Sequence, residues 1–125
     1  MDETTRRGGI LAGQIAALGP AFRQRLVRDR RQIDALLATI AAAADQPGPA
    51  VREVELAAHK LHGTSAMFGY EQLGVAAGRL EAAAHEAIAQ AMPGSRAAAH
   101  LAAPHAELVA EIETALAGTP EADGA

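Results

Sequence analysis

Apolar residues recur every three, four or seven positions along most of the chain, which is the spacing of one buried face of an α-helix. No segment alternates apolar and polar residues in the way that a half-buried β-strand does. The pattern therefore predicts four long helices. Their buried stripes are Phe22, Leu26, Ile33, Leu37 and Ile40; Val51, Val54, Ala58, Leu61, Ser65 and Phe68; Leu73, Ala77, Leu80, Ala84 and Ile88; and Leu101, Leu108, Ile112 and Leu116.

Short segments rich in proline and glycine interrupt this pattern. They are Gly19-Pro20, Asp45 to Pro49, Gly69 and Pro93-Gly94-Ser95. Pro104 falls inside the last pattern, where a proline either kinks a helix or begins a new one. Because the connections are short, consecutive helices should run antiparallel. The predicted fold class is all-α, an antiparallel up-down four-helix bundle with a short N-terminal capping helix.

The same breaks predict three parts of the chain. Residues 1–19 form an N-terminal segment with a short amphipathic helix from about Gly9 to Leu18. Residues 20–117 form the bundle, and residues 118–125 form a flexible tail. Because the sequence begins at Met1, we expect a free-standing protein, with an excised module as the alternative.

Composition narrows the functional classes. The 125 residues include no cysteine, which excludes disulfides, thiol nucleophiles and cysteine zinc sites and suits a reducing cytoplasm. The formal net charge of -4 argues against general nucleic-acid binding, and no apolar run is long enough for a membrane span. Ten of the eleven basic residues are arginine, which is typical of a GC-rich bacterial genome.

An export signal was weighed at the N-terminus. Thr5-Arg6-Arg7 loosely matches a twin-arginine signal, but acidic Asp2 and Glu3 stand where such a signal is positively charged. Gly13 and Gln14 also interrupt the apolar stretch that follows. We therefore expect a cytoplasmic protein.

The segment around His59 carries the candidate chemistry. Helical phase places His59 on the solvent side of the second helix, His62 on its flank and Gly63 almost opposite the core. A glycine inside a helix costs up to about 1 kcal/mol relative to alanine, so a glycine on an outer face favours close approach by another molecule. An exposed imidazole beside bare backbone suits phosphoryl transfer, in which a neutral ring nitrogen attacks phosphorus.

The segment also resembles a known family. His59-Lys60-Leu61-His62-Gly63-Thr64-Ser65, followed by Gly69, Leu73 and Leu80-Glu81, is similar to the motif of the histidine phosphotransfer (HPt) domain family. The resemblance covers roughly Phe22 to Leu116. It implies a phosphorelay intermediate of bacterial two-component signal transduction, in which a phosphohistidine at His59 relays a phosphoryl group between receiver-domain aspartates.

The resemblance implies no autonomous kinase activity. Members of the family bind no ATP and do not phosphorylate themselves, and this sequence has no glycine-rich phosphate loop of the Walker or kinase type. The receiver supplies Mg²⁺ and most catalytic groups, so we expect no cofactor on this chain. The implied partners are response-regulator receiver domains, a hybrid histidine kinase, or both. We expect a monomer that binds neither nucleic acid nor membrane.

Further roles follow from the motif positions. Gly63, Ala66, Lys60 and Thr64 would contact the receiver, and Gly63 would give it access. His62 stands where the family usually has lysine, and we interpret it as the group that stabilises the phosphate. A lysine stays charged at all physiological pH, whereas histidine exchanges its proton near pH ~6.5. We therefore hypothesise that phosphoryl transfer depends more strongly on pH here than in family members with the lysine. Lys60 lies on the other flank of the helix and is a poor replacement for that lysine.

Two other functions stay open. An inactive helical adaptor or dimerisation module would have the same fold and would explain Gly63 as an interface residue, but it leaves His59 without a role. A metal-binding bundle would use Glu55, His59 and His62, yet only two histidines lie close together and the spacing differs from the inward Glu-x-x-His motif of di-iron bundles.

The remaining charged groups are interpreted as surface or flank residues. They are His85, His100 and His105, and the cluster Arg23, Arg25, Arg28, Arg30 and Arg31 with Asp29 and Asp34 interleaved. The arginine cluster is typical of a solvated helix face, with steering of an acidic receiver as the alternative.

Overall fold

The computed structural model describes the backbone of residues 3–43 and 48–118, and the side chains from residue 19 onward within those ranges. These residues form four α-helices: α1 (Glu3–Ala42), α2 (Pro49–Ser65), α3 (Glu71–Ala89) and α4 (Gly94–Ala117). A turn of 3₁₀ helix, Ala66–Phe68, extends α2. Strands are absent from the described ranges, and the predicted all-α class is confirmed.

The helices enclose one core. Each helix packs against its neighbours in chain order, and α4 returns to pack against α1. Because the connections are short, consecutive helices are antiparallel. The predicted stripes supply the largest fully buried side chains, which include Leu26, Ile33, Ile40, Leu61, Leu73, Leu80, Leu101, Leu108 and Ile112. Since the remaining core positions are mostly alanine, the helix backbones approach closely.

Four predicted core residues lie at the margin of the core. Leu37, Phe68 and Leu116 are partly buried and pack against it. Ile88 is 36% exposed, which corrects its assignment to the buried stripe. In the last turn of α3 the core-facing position is Ala87 instead, and Met92 is buried just beyond the helix.

The N-terminal half of α1 differs from the prediction. The helix is continuous through Gly19 and Pro20, which corrects the predicted break there and the separate short helix before it. A proline removes one intrahelical hydrogen bond but does not forbid helix on both sides. The predicted capping contact of residues 1–18 lies outside the described side chains. α4 is likewise one helix through Pro104.

Two connections have clear local causes. Gly69 adopts φ 84°, and its N–H donates to the carbonyl of Ala66 at 3.1 Å, so it ends α2 and its 3₁₀ extension as predicted. Gly94 begins α4 where it crosses the end of α1, and a Cβ there would lie 2.7 Å from the carbonyl oxygen of Ile40. Residues 45–47 of the predicted turn and 119–125 of the predicted tail lie outside the described residues.

Polar contacts join α1 to α4. The guanidinium of Arg23 donates to the carbonyls of Ala115 at 3.0 Å and Gly118 at 2.9 Å, which have no intrahelical partner at the end of α4. Arg30 pairs with Glu113 at 2.9 Å. Arg23 therefore has a structural role that its interpretation as part of a solvated face did not include.

Aromatic residues close one end of the bundle. The ring of Phe22 on α1 stacks on Phe68 with centroids 4.4 Å apart and on Tyr70 at 5.5 Å. This contact fixes the end of α2, and hence the helix that carries His59, against α1. In the described part of the chain, no helix combines the length and the apolar character that a membrane crossing requires.

Candidate functional site

His59 lies on the outer face of α2. Its side chain is 70% exposed, while Ala58 and Leu61 on either side of it are buried. One turn farther on, a Cβ added at Gly63 would meet no atom within 4 Å, and Ala66 beyond it is exposed. The face therefore presents an imidazole beside helix backbone that no large side chain covers, as the helical phase predicted.

Two hydroxyl groups bond back along this part of α2. The hydroxyl of the buried Ser65 donates to the carbonyl of Leu61 at 2.5 Å, which confirms its predicted packed position. The hydroxyl of Thr64 donates to the carbonyl of Lys60 at 2.9 Å. Both bonds satisfy the hydroxyl within the helix, and Thr64 thus stays close to the helix surface beside Gly63.

Glu81 on α3 bonds both histidines of the motif. The Nδ1–H of His59 donates to its Oε2 at 2.6 Å, and the Nδ1–H of His62 donates to its Oε1 at 3.2 Å. An ionised carboxylate only accepts hydrogen bonds, so each neutral ring carries its proton on Nδ1. The lone pair of His59 is therefore on Nε2, on the side of the ring away from Glu81.

The charge of Glu81 depends on these contacts. Partial burial raises the pKa of Glu81, but the hydrogen bonds from His62 and His59 outweigh that effect, and the pKa lies below its ordinary value of 4.5. The carboxylate is therefore ionised at neutral pH. A negative charge at Nδ1 stabilises positive charge on the ring of His59.

His62 lies between α2 and α3. Its ring packs over Gly78, where a Cβ would come within 3.2 Å of the ring carbon Cε1. The side chain is still 55% exposed. A glycine at this point of α3 therefore gives His62 the room to lie against the helix and reach the carboxylate that also holds His59.

Lys60 points to the opposite flank of α2. It lines an open groove of about 430 Å³ between α1 and α2, together with Arg25, Arg28, Glu53 and Leu56. The side chain of Leu56 is 51% exposed there. Lys60 thus neighbours a mixed-charge groove, whereas His62 neighbours the carboxylate beside the imidazole.

The arrangement suits nucleophilic chemistry better than metal binding. His59 has an exposed side chain with one ring nitrogen held by a carboxylate and the other without a hydrogen bond among the described residues, which is the geometry of an oriented nucleophile. Among the residues whose placement is described, no three His, Cys, Asp or Glu side chains are positioned to hold a metal ion. Glu55, which the metal-binding alternative placed beside His59, instead bonds His85.

Sequence reasoning missed two features of this face. The motif includes Glu81 only as part of the Leu80-Glu81 pair, although Glu81 bonds both histidines. His85 is exposed, as predicted, but its bond was not foreseen: its Nδ1–H donates to Glu55 at 2.8 Å. The available signal was the matching four-residue spacing of Glu55-His59 and Glu81-His85 on consecutive antiparallel helices.

The chain was compared with known proteins. The family model described as the Hpt domain matches residues 21–118. No curated protein and no solved structure matches the chain. The matched residues begin next to Phe22 and end where Arg23 holds the last turn of α4, so the match covers the whole bundle and the face that carries His59. The chain belongs to the Hpt domain family.

Proposed function

We propose that this chain relays a phosphoryl group between receiver-domain aspartates through a phosphohistidine at His59. One observation carries the proposal. The ring of His59 is 70% exposed, its Nδ1–H is bonded to Glu81 at 2.6 Å, and its Nε2 makes no hydrogen bond with any described residue. Family membership supports histidine phosphotransfer in general, and this geometry supports His59 as the acceptor.

The transfer step follows from the tautomer. The Nε2 lone pair of His59 attacks phosphorus of an aspartyl phosphate, an N–P bond forms, and the P–O bond to the donor breaks. The electron pair of that bond stays on the donor carboxylate. The proton remains on Nδ1, so the ring becomes a phosphorylated imidazolium cation that faces the carboxylate of Glu81. Transfer to a second receiver is the reverse of this step.

The partner surface in this proposal surrounds His59. Gly63 and Ala66 let a receiver approach the helix, and Thr64 and Lys60 stand at its edges. Mg²⁺ and the remaining catalytic groups belong to the receiver, with no cofactor on this chain. In this proposal the chain acts as a monomer in the cytoplasm. Its partners are receiver domains, a hybrid kinase, or both.

The test is transfer of labelled phosphate from a phosphorylated receiver domain. Wild type, His59→Ala and His62→Ala are compared with His105→Gln, which removes a histidine on the α1–α4 side. We expect acid-labile, alkali-stable label, and only His59→Ala should lose the fast initial phase of its uptake. Circular dichroism of each variant checks that the bundle is intact.

Other results would change the proposal. Label that survives in His59→Ala and disappears in His62→Ala would move the acceptor by one turn. A folded wild-type chain that accepts label from none of a broad panel of receivers would contradict the relay and favour an inactive adaptor.

The role of His62 gives a separate prediction. If His62 stabilises the phosphoryl group in its protonated form, transfer should slow between pH 6 and pH 8 more steeply in wild type than in His62→Lys, since lysine stays charged over that range. The measurement is the initial rate of transfer at each pH with one receiver, whose own pH dependence cancels in the ratio. Parallel profiles of the two proteins would contradict the role.

A further inference from the structure

A second histidine–carboxylate pair lies beside the first on the same face. On α2, Glu55 precedes His59 by four residues, and on α3, Glu81 precedes His85 by four residues. Because the two helices are antiparallel, Glu55 faces His85 while His59 faces Glu81. The two histidine–glutamate pairs are therefore related by an approximate twofold axis perpendicular to α2 and α3.

The two pairs match closely in geometry. The Nδ1–H of His85 donates to Oε2 of Glu55 at 2.8 Å, compared with 2.6 Å from His59 to Glu81. The His85 side chain is 76% exposed, slightly more than that of His59. Since the carboxylate accepts at Nδ1, the neutral ring of His85 also carries its lone pair on Nε2.

The surroundings of His85 also permit approach. Ala82 and Ala89, three residues before it and four after it, are exposed and have minimal side chains. Two differences separate the two pairs. The residue four positions after the histidine is Ala89 here and Gly63 at His59, and Glu81 also accepts a hydrogen bond from His62, whereas Glu55 has no second histidine partner among the described side chains. The second pair therefore has the nucleophile and the orienting carboxylate without the additional potential cation.

We propose that His85 is a second phosphoryl acceptor, filled from the aspartyl phosphate of a receiver domain. The proposal rests on the function proposed for His59. Nε2 of His85 attacks phosphorus, an N–P bond forms, and the P–O bond to the donor breaks with its electron pair left on the donor carboxylate. The proton stays on Nδ1, and the charge of the resulting imidazolium faces Glu55.

His59 and His85 lie so close together that a single receiver can be docked over only one of them at a time. They lie about one helical turn apart, roughly 5 Å along the axis, which is well inside a footprint of about 800 Å² per partner. A receiver turned end for end over α2 and α3 meets at His85 the same histidine–carboxylate pair that it meets at His59. Without the group that corresponds to His62, His85 should fill about tenfold more slowly.

The test measures label taken from one phosphorylated receiver by His59→Gln, by His59→Gln/His85→Gln and by His59→Gln/His62→Gln, with the labelled residue mapped by peptide mass spectrometry. We expect His59→Gln to accept label on His85, more slowly than wild type fills His59. The label should persist in the variant that also lacks His62 and disappear in the variant that also lacks His85. Circular dichroism and thermal melting check the fold of each variant.

A positioning role for Glu55 is tested in the same background. Glu55→Ala should slow labelling of His85 about tenfold, and Glu53→Ala should not, because Glu53 is on the same helix but lines the groove toward α1. Restoration of the rate by Glu55→Gln, which keeps an acceptor for Nδ1–H, would separate positioning from a loss of packing.

Three outcomes would overturn the proposal. If folded His59→Gln accepts no label while wild type does, His59 is the sole acceptor and the relay function stands. If the residual label maps to His62, the second acceptor lies elsewhere. If wild type accepts no label from any receiver, this proposal and the relay function fail together.

Discussion

The α2–α3 and α1–α4 sides of the bundle both pair a histidine with a carboxylate, but they use opposite ring nitrogens. On the α1–α4 side, Nε2 of His105 bonds Asp34 at 2.7 Å, and the His105 side chain is 23% exposed. On the α2–α3 side, His59 bonds Glu81 through Nδ1 and is 70% exposed. Nε2 is thus used for an interhelix contact in the first case and is free to react in the second.

This comparison separates packing from chemistry. A histidine–carboxylate pair between two helices is not by itself a site, since the pair at His105 serves to join α1 and α4. What distinguishes His59 is the free and exposed Nε2 together with the open backbone at Gly63. The following changes test whether the two sides are as different in function as they are in geometry.

The largest expected effect comes from removing the carboxylate on each side. Glu81→Ala should slow labelling of His59 about a hundredfold, because His59 loses both its orientation and the charge that stabilises the phosphorylated ring. Asp34→Ala should leave transfer near the wild-type rate and lower the free energy of unfolding by about 1 kcal/mol, through lost contacts to His105 and Arg30. Transfer assays and urea denaturation measure the two effects, and equal losses of transfer in both variants would contradict the comparison.

A pair of glycines gives the next effect. Gly94→Ala should lower the free energy of unfolding by about 1–3 kcal/mol, because its Cβ would press on the carbonyl of Ile40. Gly63→Ala should raise it by up to about 1 kcal/mol, since the position is open and alanine favours helix, yet it should slow transfer by obstructing the receiver. Urea denaturation and transfer assays check both, and unchanged transfer in Gly63→Ala would remove the case for close approach.

Arg23 provides a smaller effect that is confined to the α1–α4 side. Arg23→Met keeps much of the apolar stem but leaves the last carbonyls of α4 without their donor, and should cost about 1 kcal/mol of stability with transfer unchanged. Hydrogen exchange should show faster opening of the last turn of α4 than in wild type. Equal exchange in the two proteins would mean that these bonds contribute little.

The smallest expected effect is on the free energy of unfolding at low pH. Because the pKa of Glu81 is lowered in the folded protein, its contribution to stability is present above its ordinary value of 4.5 and is lost as the pH falls through the folded value. Glu81→Gln should therefore be less stable than wild type at pH 7, by less than about 1 kcal/mol, and the difference should vanish on acidification. Denaturation curves from pH 7 to pH 3 test this, and a difference that grows toward low pH would have the wrong sign.

Helical periodicity predicted what depends on one helix alone. The burial of Val54, Leu61 and Ser65 and the exposure of His59 follow from the phase of α2, and left-handed Gly69 follows from the backbone that ends it. Phase could not predict that Glu81 bonds two histidines or that Glu55 meets His85. Those contacts depend on the register between α2 and α3, in which Gly74 lies against Ser65 and Gly78 against the ring of His62.

The failures of the prediction have local causes. Gly19-Pro20 has the composition of a break, but a proline costs a helix one hydrogen bond, and the rest of α1 continues on both sides. Ile88 has the spacing of a core residue, but it lies in the last full turn of α3, where Ala87 faces the core instead. In both cases the local sequence is compatible with either outcome, and packing against the rest of the bundle determines which one occurs.

The bonds between Arg23 and the end of α4 also fix the position of residue 118. Phe22 stacks on Phe68, so α4 ends beside the α2–α3 connection, and His59 lies six residues before the end of α2. That separation is roughly 9 Å along the helix. A receiver joined to residue 118 by a short flexible linker would be held beside His59 at an effective concentration in the millimolar range. Fusion at this end should make transfer nearly independent of protein concentration, even for a receiver that docks weakly.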